Sequence, residues 1–507
     1  MYQAADFWAG LLVVLQWGNL FYCLLGALIG TFIGVLPGLG PVPTIAMLLP
    51  ITFYLSPTSA LIMLAGIYYG AQYGGSTTAI LVNLPGENSS VITCLDGYQM
   101  ARQGRAGPAL AVAALGSLFA GVFATFFIAV MAPPLANVAL LFGPAENFSL
   151  MVLGLIAAIV LAQGSILKAL GMIVLGLLLS MVGTDVNSGE PRLTLGVTDL
   201  LDGVGFVPLA MGLFAIAEII RNLEQPERRE HMAGKISNLW PTRDDFAKSW
   251  PAVLRGTGIG TVLGLLPGGG AMLSSFVAYT VEKRVSRHPE RFGTGMIEGV
   301  AAPEAANNAG VQTSFIPFLT LGIPGNAVLA LMTGAMMIHG IQPGPEVMTR
   351  NPELFWGLIA SMLVGNIVLV VINLPLLPIW VSLLRVPYKL FYPPILVFCC
   401  IGVYSLNNSV TEVFFLVLFG FLGYFLLKWD CEPAPLLLAF VLGPMLEENF
   451  RRAMRLSRGD PSTFLTQPIS AALLGGVVIL MAMVVLPSMF RSARQARETQ
   501  DRQQPGS

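Results

Sequence analysis

The chain reads as a succession of apolar runs separated by short interruptions of Pro, Gly and charge. The runs cover residues 20–35, 42–55, 60–81, 109–131, 148–162, 167–182 and 204–220 in the first half. In the second they cover 253–266, 272–281, 311–321, 328–338, 355–384, 395–405, 413–427, 436–446 and 469–487. A membrane-crossing helix needs about 20 apolar residues. Several runs are too short to cross alone, and 355–384 is long enough for two helices or for one broken at Pro375. The pattern predicts an all-α polytopic membrane protein with about 12 transmembrane helices.

Charge reinforces this reading. Charged residues are 11% of the 507 positions, against roughly 25% in an average soluble domain. No Lys or Arg precedes Arg102, and none lies between Arg105 and Lys168. A soluble chain could not cover itself so sparsely, whereas lipid replaces water as the solvent of a membrane protein. Net charge of −1 argues against nucleic acid as a partner. The first ten residues hold Asp6 and no cation, unlike the basic start of a cleaved signal peptide. The five cysteines show no paired spacing and read as small buried apolar residues, and the three histidines form no ligand cluster with them. His339 reads as a boundary residue at the end of an apolar run. There is no P-loop, nucleophile elbow or paired metal-ligand motif, so no enzyme is expected and no structural metal.

The organisation expected is a first membrane repeat over 1–220, a charged cytoplasmic linker over 221–250 and a second membrane repeat over 251–466. A C-terminal transmembrane helix over 467–490 and a basic, disordered tail over 491–507 follow. The linker carries six Lys/Arg and five Asp/Glu, which the positive-inside rule places in the cytoplasm. The duplication rests on ordered matches. Gly34-Val-Leu-Pro37-Gly38-Leu-Gly40 recurs as Gly264-Leu-Leu-Pro267-Gly268-Gly269-Gly270, an offset of 230. Asn83-Leu-Pro85-Gly86-Glu87-Asn88 recurs as Gly322-Ile-Pro324-Gly325-Asn326, an offset of 239. The segment Gly212 to Glu218 before Arg221 resembles Gly443 to Asn449 before Arg451, an offset of 231. Segment counting favours inverted over parallel repeats.

Pro removes an amide donor and Gly allows non-helical backbone, so each Pro-Gly pair breaks a helix at membrane depth. Such backbone is tolerated there only inside protein or against a watery cavity. A single break could be a hinge or a packing contact. Four breaks at matching places in two halves point to a transporter's central site. The candidate substrate- or ion-binding residues are Pro37, Gly38, Gly40, Thr77, Thr78, Asn83, Pro85, Gly86, Pro267, Gly268, Gly269, Gly270, Asn307, Asn308, Thr313, Ser314, Pro324, Gly325 and Asn326. Their side-chain oxygens and freed carbonyls suit a hard cation such as sodium, and freed amides at half-helix starts suit an anion. The motif regions contain no Lys or Arg, so no arginine clamp is expected nearby. Glu87 could cap the following half-helix, coordinate a cation or face water. Asp96, near Arg102 and Arg105, reads as a loop or interface residue.

These motifs resemble the large membrane subunit of the tripartite tricarboxylate transporters of bacteria. The resemblance lies in GVLPGLGP at 34–41, YGGSTTAILVNLPGE at 73–87, DGYQMARQGRAG at 96–107, GLLPGGG at 264–270, EAANNAG at 304–310 and LGIPGNA at 321–327. It implies a multi-pass permease of the bacterial inner membrane that works with a small membrane subunit and a periplasmic solute-binding protein. It further implies import of a di- or tricarboxylate, such as citrate or a related organic acid, with no cofactor and with a sodium or proton gradient as the drive. The alternative from the residues alone is an anion or solute channel with a re-entrant-loop pore.

Overall fold

The structure is a computed structural model that describes residues 2–36, 40–161, 165–185, 187–224, 239–266, 270–383 and 392–482. The chain is an all-α polytopic membrane protein. Among the described residues five helices are long and apolar enough to cross a bilayer: Trp17–Val35, Ala106–Ala139, Phe206–Glu224, Pro352–Asn373 and Val410–Lys428. Shorter apolar helices include Pro41–Thr52, Ile166–Ser180, Ala327–Ile338 and Pro468–Ala482. On Val410–Lys428 the side chains of Phe414, Val417, Leu418, Phe421 and Phe425 are exposed. An apolar surface of that extent is what lipid contact requires.

Three details depart from the reading of the runs. Residues 2–14, ahead of the first run, already form a helix, packed on Pro352–Asn373. The charged stretch is shorter than its sequence bounds, because Arg243–Leu263 begins inside it. Thr242 accepts from the Asp245 amide while Asp245 accepts from that of Thr242, satisfying two otherwise open donors at the helix start. Finally, a two-residue antiparallel ladder, Gly183–Thr184 against Pro191–Arg192, interrupts the helical fold. The long run 355–384 divides as Pro375 dictates, into Pro352–Asn373 and Leu377–Leu383.

Two close helix pairs organise the interior. Trp17–Val35 lies on Pro57–Val82, and Arg243–Leu263 lies on Glu298–Thr313. In the first pair, Cβ atoms on Gly26, Gly30 and Gly34 would meet the carbonyl oxygens of Met63, Ile67 and Ala71 at 2.3–2.4 Å. In the second, Cβ atoms on Gly256, Gly260 and Gly264 would meet those of Ala302, Ala306 and Gly310 at 2.2–2.5 Å. Small residues every fourth position let backbones touch, which is how helices associate where apolar burial gives no net drive. The registers coincide: the glycine positions differ by 230 and their carbonyl partners by 239, the offsets of the matched motifs.

Candidate functional site

Each described break ends one helix and begins another. Pro57–Val82 stops at Asn83, whose backbone is left-handed at φ 57°, and the next helical turn is capped by extended Glu87 at φ −152°. The helix pair Glu298–Thr313 and Phe315–Leu321 stops at left-handed Gly322, φ 72°, and Ala327–Ile338 is capped by extended Asn326 at φ −159°. Asn and Gly are the residues that enter the left-handed region cheaply, so both stops are written locally. Glu87 accepts from the Ser90 amide, and the Asn326 side chain accepts from the Leu329 amide at 3.0 Å. The other two breaks are flanked by Val35 and Pro41, and by Leu263 and Gly270. Pro37, Gly38, Pro267, Gly268 and Gly269 lie outside the described residues.

Described residues beside all four breaks border one cavity of about 530 Å³. Gly40 and Pro41 line it at one half-helix start, Pro85 to Ser89 at the second, Gly270 and Ala271 at the third, Asn326 and Ala327 at the fourth. Four helix amino ends, the positive ends of their backbone dipoles, therefore border one volume. Its size lies within the range of small-molecule sites, about 300–1,000 Å³. Val42, Leu213, Phe214, Met272 and Val328 supply apolar wall.

The half-helices leave the cavity in two pairs. Pro41–Thr52 runs beside Ala327–Ile338, and their far ends meet where His339 Nε2 lies 2.9 Å from the Thr52 carbonyl. Val91–Arg102 runs beside Gly270–Val285, joined where Tyr279 donates to Asp96 at 2.9 Å. Pro57–Val82 starts just after Thr52, passes the cavity at Tyr68 and Gln72, and reaches Gly97 with Ile80. The second pair thus points away from the first, on the other side of the cavity.

Several sequence candidates are placed elsewhere than in this cavity. Asn83 is exposed and serves as a helix stop. Thr77, Thr78, Thr313 and Ser314 turn their hydroxyls onto carbonyls of their own helices. Pro324 and Gly325 are buried beside Asn326. Asn308 donates to Ser117 at 2.7 Å. Asn307 is fully buried, and neither polar atom of its side chain has a partner. Gly40, Pro85, Gly86, Gly270 and Asn326 do line the cavity.

Other lining residues carry no motif. Tyr68 accepts from Asn326 at 3.0 Å, and Gln72 donates to Glu87 at 2.9 Å while accepting from Ser89 at 2.8 Å. The expectation that no arginine stands nearby is wrong, because Arg221 lines the cavity. It sits on Phe206–Glu224, a helix opened by a π turn at Met211–Ile216, and touches Glu218 only loosely at 3.9 Å. Proximity in sequence hid it, since it opens the charged stretch assigned to a linker. Arg451, which follows the similar segment Gly443 to Asn449, is instead bound to Asp185 and Glu447, at 2.9 and 2.6 Å. Asp96 is also deeper than expected. It is fully buried, and the amides of Gly293, Gly295 and Met296 donate to it at 2.8–3.0 Å. Asp96 therefore anchors the loop ahead of Glu298–Thr313.

A helical bundle with a cavity bordered by four half-helix starts places the chain among multi-pass membrane proteins. The chain belongs to the tripartite tricarboxylate transporter TctA family, whose family model matches residues 20–438. It is 57% identical over 476 residues to an uncharacterised 52.8 kDa protein in the TAR-I ttuC' 3'region of Agrobacterium vitis, covering 94% of this chain and 95% of that protein. It is 55% identical over 235 residues to an uncharacterised protein in the TAR-II ttuC' 3'region of the same organism, covering 46% of this chain and 97% of that protein. No solved structure matches the chain.

Proposed function

We propose that this chain is the permease subunit of a bacterial inner-membrane importer for a di- or tricarboxylate, driven by a sodium or proton gradient. A periplasmic binding protein delivers the substrate, and a small membrane subunit completes the assembly. The observation that carries this reading is the convergence of four half-helix amino ends and Arg221 on one cavity. A multiply charged carboxylate needs several preorganised donors in a volume with little water, and amide dipoles provide them without the cost of burying many cations. The apolar wall suits the carbon skeleton between carboxyl groups.

The reading also takes the two halves as inverted repeats of one unit. Matching contact registers at offsets 230 and 239 support it, as does the outward divergence of the two half-helix pairs. Each pair joins a half-helix from one half to the non-equivalent half-helix of the other, which a two-fold axis through the cavity would produce. The test is uptake of labelled carboxylates into vesicles holding the chain with its two partner subunits. Saturable uptake that responds to an ion gradient is expected. Sustained ohmic current in a planar bilayer, without saturable uptake, would instead identify a channel.

A further inference from the structure

The mechanism of that import reading leaves one buried group unused. Glu304 is 1% exposed, in the middle of Glu298–Thr313, and forms no ion pair with Lys, Arg or His among the described residues. An ionised carboxylate so placed, with no cation to face, is costly. Its two oxygens meet two hydroxyls, Thr93 at Oε1 and Ser76 at Oε2, the latter at 2.5 Å.

Counting hydrogens around Ser76 favours a protonated Glu304. The Ser76 hydroxyl also lies 2.9 Å from the Gln72 carbonyl, which can only accept. A hydroxyl has one hydrogen to give. If it goes to Gln72, the close Ser76–Glu304 contact needs a hydrogen from the carboxyl. If it goes to Glu304, two acceptors face each other across the Gln72 contact. With Glu304 protonated both contacts are filled: Glu304 donates to Ser76, Ser76 to Gln72, and Thr93 to the other carboxyl oxygen.

The side chain of the same Gln72 reaches the cavity wall. Gln72 donates to Glu87 at 2.9 Å, and Glu87 lies on the cavity wall. Asn307, one turn beyond Glu304, faces Glu87. No hydrogen bond of ordinary geometry reaches its buried amide or Glu87 Oε1, although the two side chains lie close enough to interact. The matching positions at offset 239 are Tyr68 and Asn326, which are hydrogen-bonded to each other across the cavity wall. The Asn307 side of the arrangement has thus kept open polar atoms beside the acidic group. The titratable groups facing Glu304 are Tyr73 from Pro57–Val82, Glu87 from the break and Cys94 from Val91–Arg102. Ser117 of Ala106–Ala139 donates to the Glu304 main-chain carbonyl, and Ser275 of Gly270–Val285 to that of Pro303. From Arg243–Leu263 the one arginine in reach of an acid, Arg255, is committed to Glu282 at 2.6 Å. Phe315–Leu321 has no titratable residue.

We propose that Glu304 is the proton-carrying group of the transport cycle: protonated in the conformation seen here, it gives up that proton when the site opens to the other compartment. The proton is taken up from water on the outer side together with the substrate and is released to water on the inner side, so one positive charge accompanies the carboxylate. The proposal rests on the import reading, and its test is built so that the two can fail separately.

Infrared difference spectra of the membrane-embedded protein, wild type minus Glu304→Gln, are recorded across pH and need no transport. A protonated-carboxyl band present at neutral pH and lost in Glu304→Gln is expected. If Glu304→Gln does not reach the membrane, Ser76→Ala is used instead and should shift that band by removing its acceptor. Absence of the band from wild type at neutral pH overturns the proposal even if carboxylate is imported. In vesicles with the partner subunits, an acidic exterior should raise wild-type uptake several-fold at constant sodium. In Glu304→Gln the ratio with and without the gradient should fall to about one, whatever the absolute rate. A ratio in the variant equal to that of wild type overturns the proposal, as does a wild-type drive by sodium alone at clamped pH. If wild type imports no carboxylate while the band behaves as expected, the import reading fails and the protonated Glu304 stands.

Discussion

At Gly86 a Cβ would sit 2.0 Å from the Gly34 carbonyl oxygen and 2.6 Å from the Gly75 Cα, both backbone atoms that cannot swing away. Gly86→Ala should therefore cost more than an ordinary overpacking change of about 1–3 kcal/mol. The expected outcome is a lower melting midpoint in detergent together with loss of uptake. Gly18→Ala, where nothing lies within 4 Å, serves as the control and should alter neither. Arg221 is the one Lys or Arg among the described residues that line the cavity, and losing a charge-assisted hydrogen bond costs about 1.5–3 kcal/mol. Arg221→Gln should raise KM for the imported carboxylate by roughly ten- to a hundred-fold. Arg221→Lys, which keeps charge but not the planar fork, should fall between the two. A KM unchanged in Arg221→Gln would remove this residue from the site.

Among whole elements, the two glycine seams make a paired prediction. A Cβ on Gly30 or Gly260 would lie 2.4 or 2.2 Å from a carbonyl oxygen, of Ile67 and Ala306 respectively. Leu at either position forces the helices apart, so Gly30→Leu and Gly260→Leu should both deplete folded protein from the membrane. A normal level of either variant, read by fluorescence-detected size exclusion, would contradict the close packing. The Ala327–Ile338 cap gives a milder case. Asn326→Ala removes the bond to the Leu329 amide, worth about 1 kcal/mol, and releases the Tyr68 hydroxyl into the cavity. Affinity should drop while most of the protein still folds. At the ladder, the Asn187 amide and Arg451 hold Asp185 down at about 2. A carboxylate lowered on folding stabilises above its unfolded value, about 4, and loses that contribution as pH falls towards 2. Asp185→Asn should flatten the acid limb of the unfolding curve in that window.

The whole molecule brings together what its sequence distributes over nearly 300 positions. The membrane character and the broken helices were legible because each depends on local chemistry: long apolar runs, a Pro without its amide, a Gly free in φ. The stops at Asn83 and Gly322 follow from the same property of two residues. The offsets of 230 and 239 were legible as well, and the same offsets recur in backbone contacts. Side chains beside the motifs were a poorer guide. Thr77 and Thr78 satisfy themselves on their own helix, and Asn83 ends one, because a polar residue inside an apolar helix meets its nearest carbonyl before any distant ligand. Arg221 and Asp96 were misread for the opposite reason. Their partners come from remote segments: the cavity in one case, the amides of 293–296 in the other.

By itself, then, the sequence determined that this chain lives in a membrane, where its helices break, and which segments are matched. Those properties come from solvent transfer and backbone freedom, which act within a few residues. Only the tertiary structure decided that four half-helix starts share one cavity, that Arg221 enters it, and that Glu304 is shut in among hydroxyls. Those depend on how long helices stack, and close glycine seams between remote segments set that stacking.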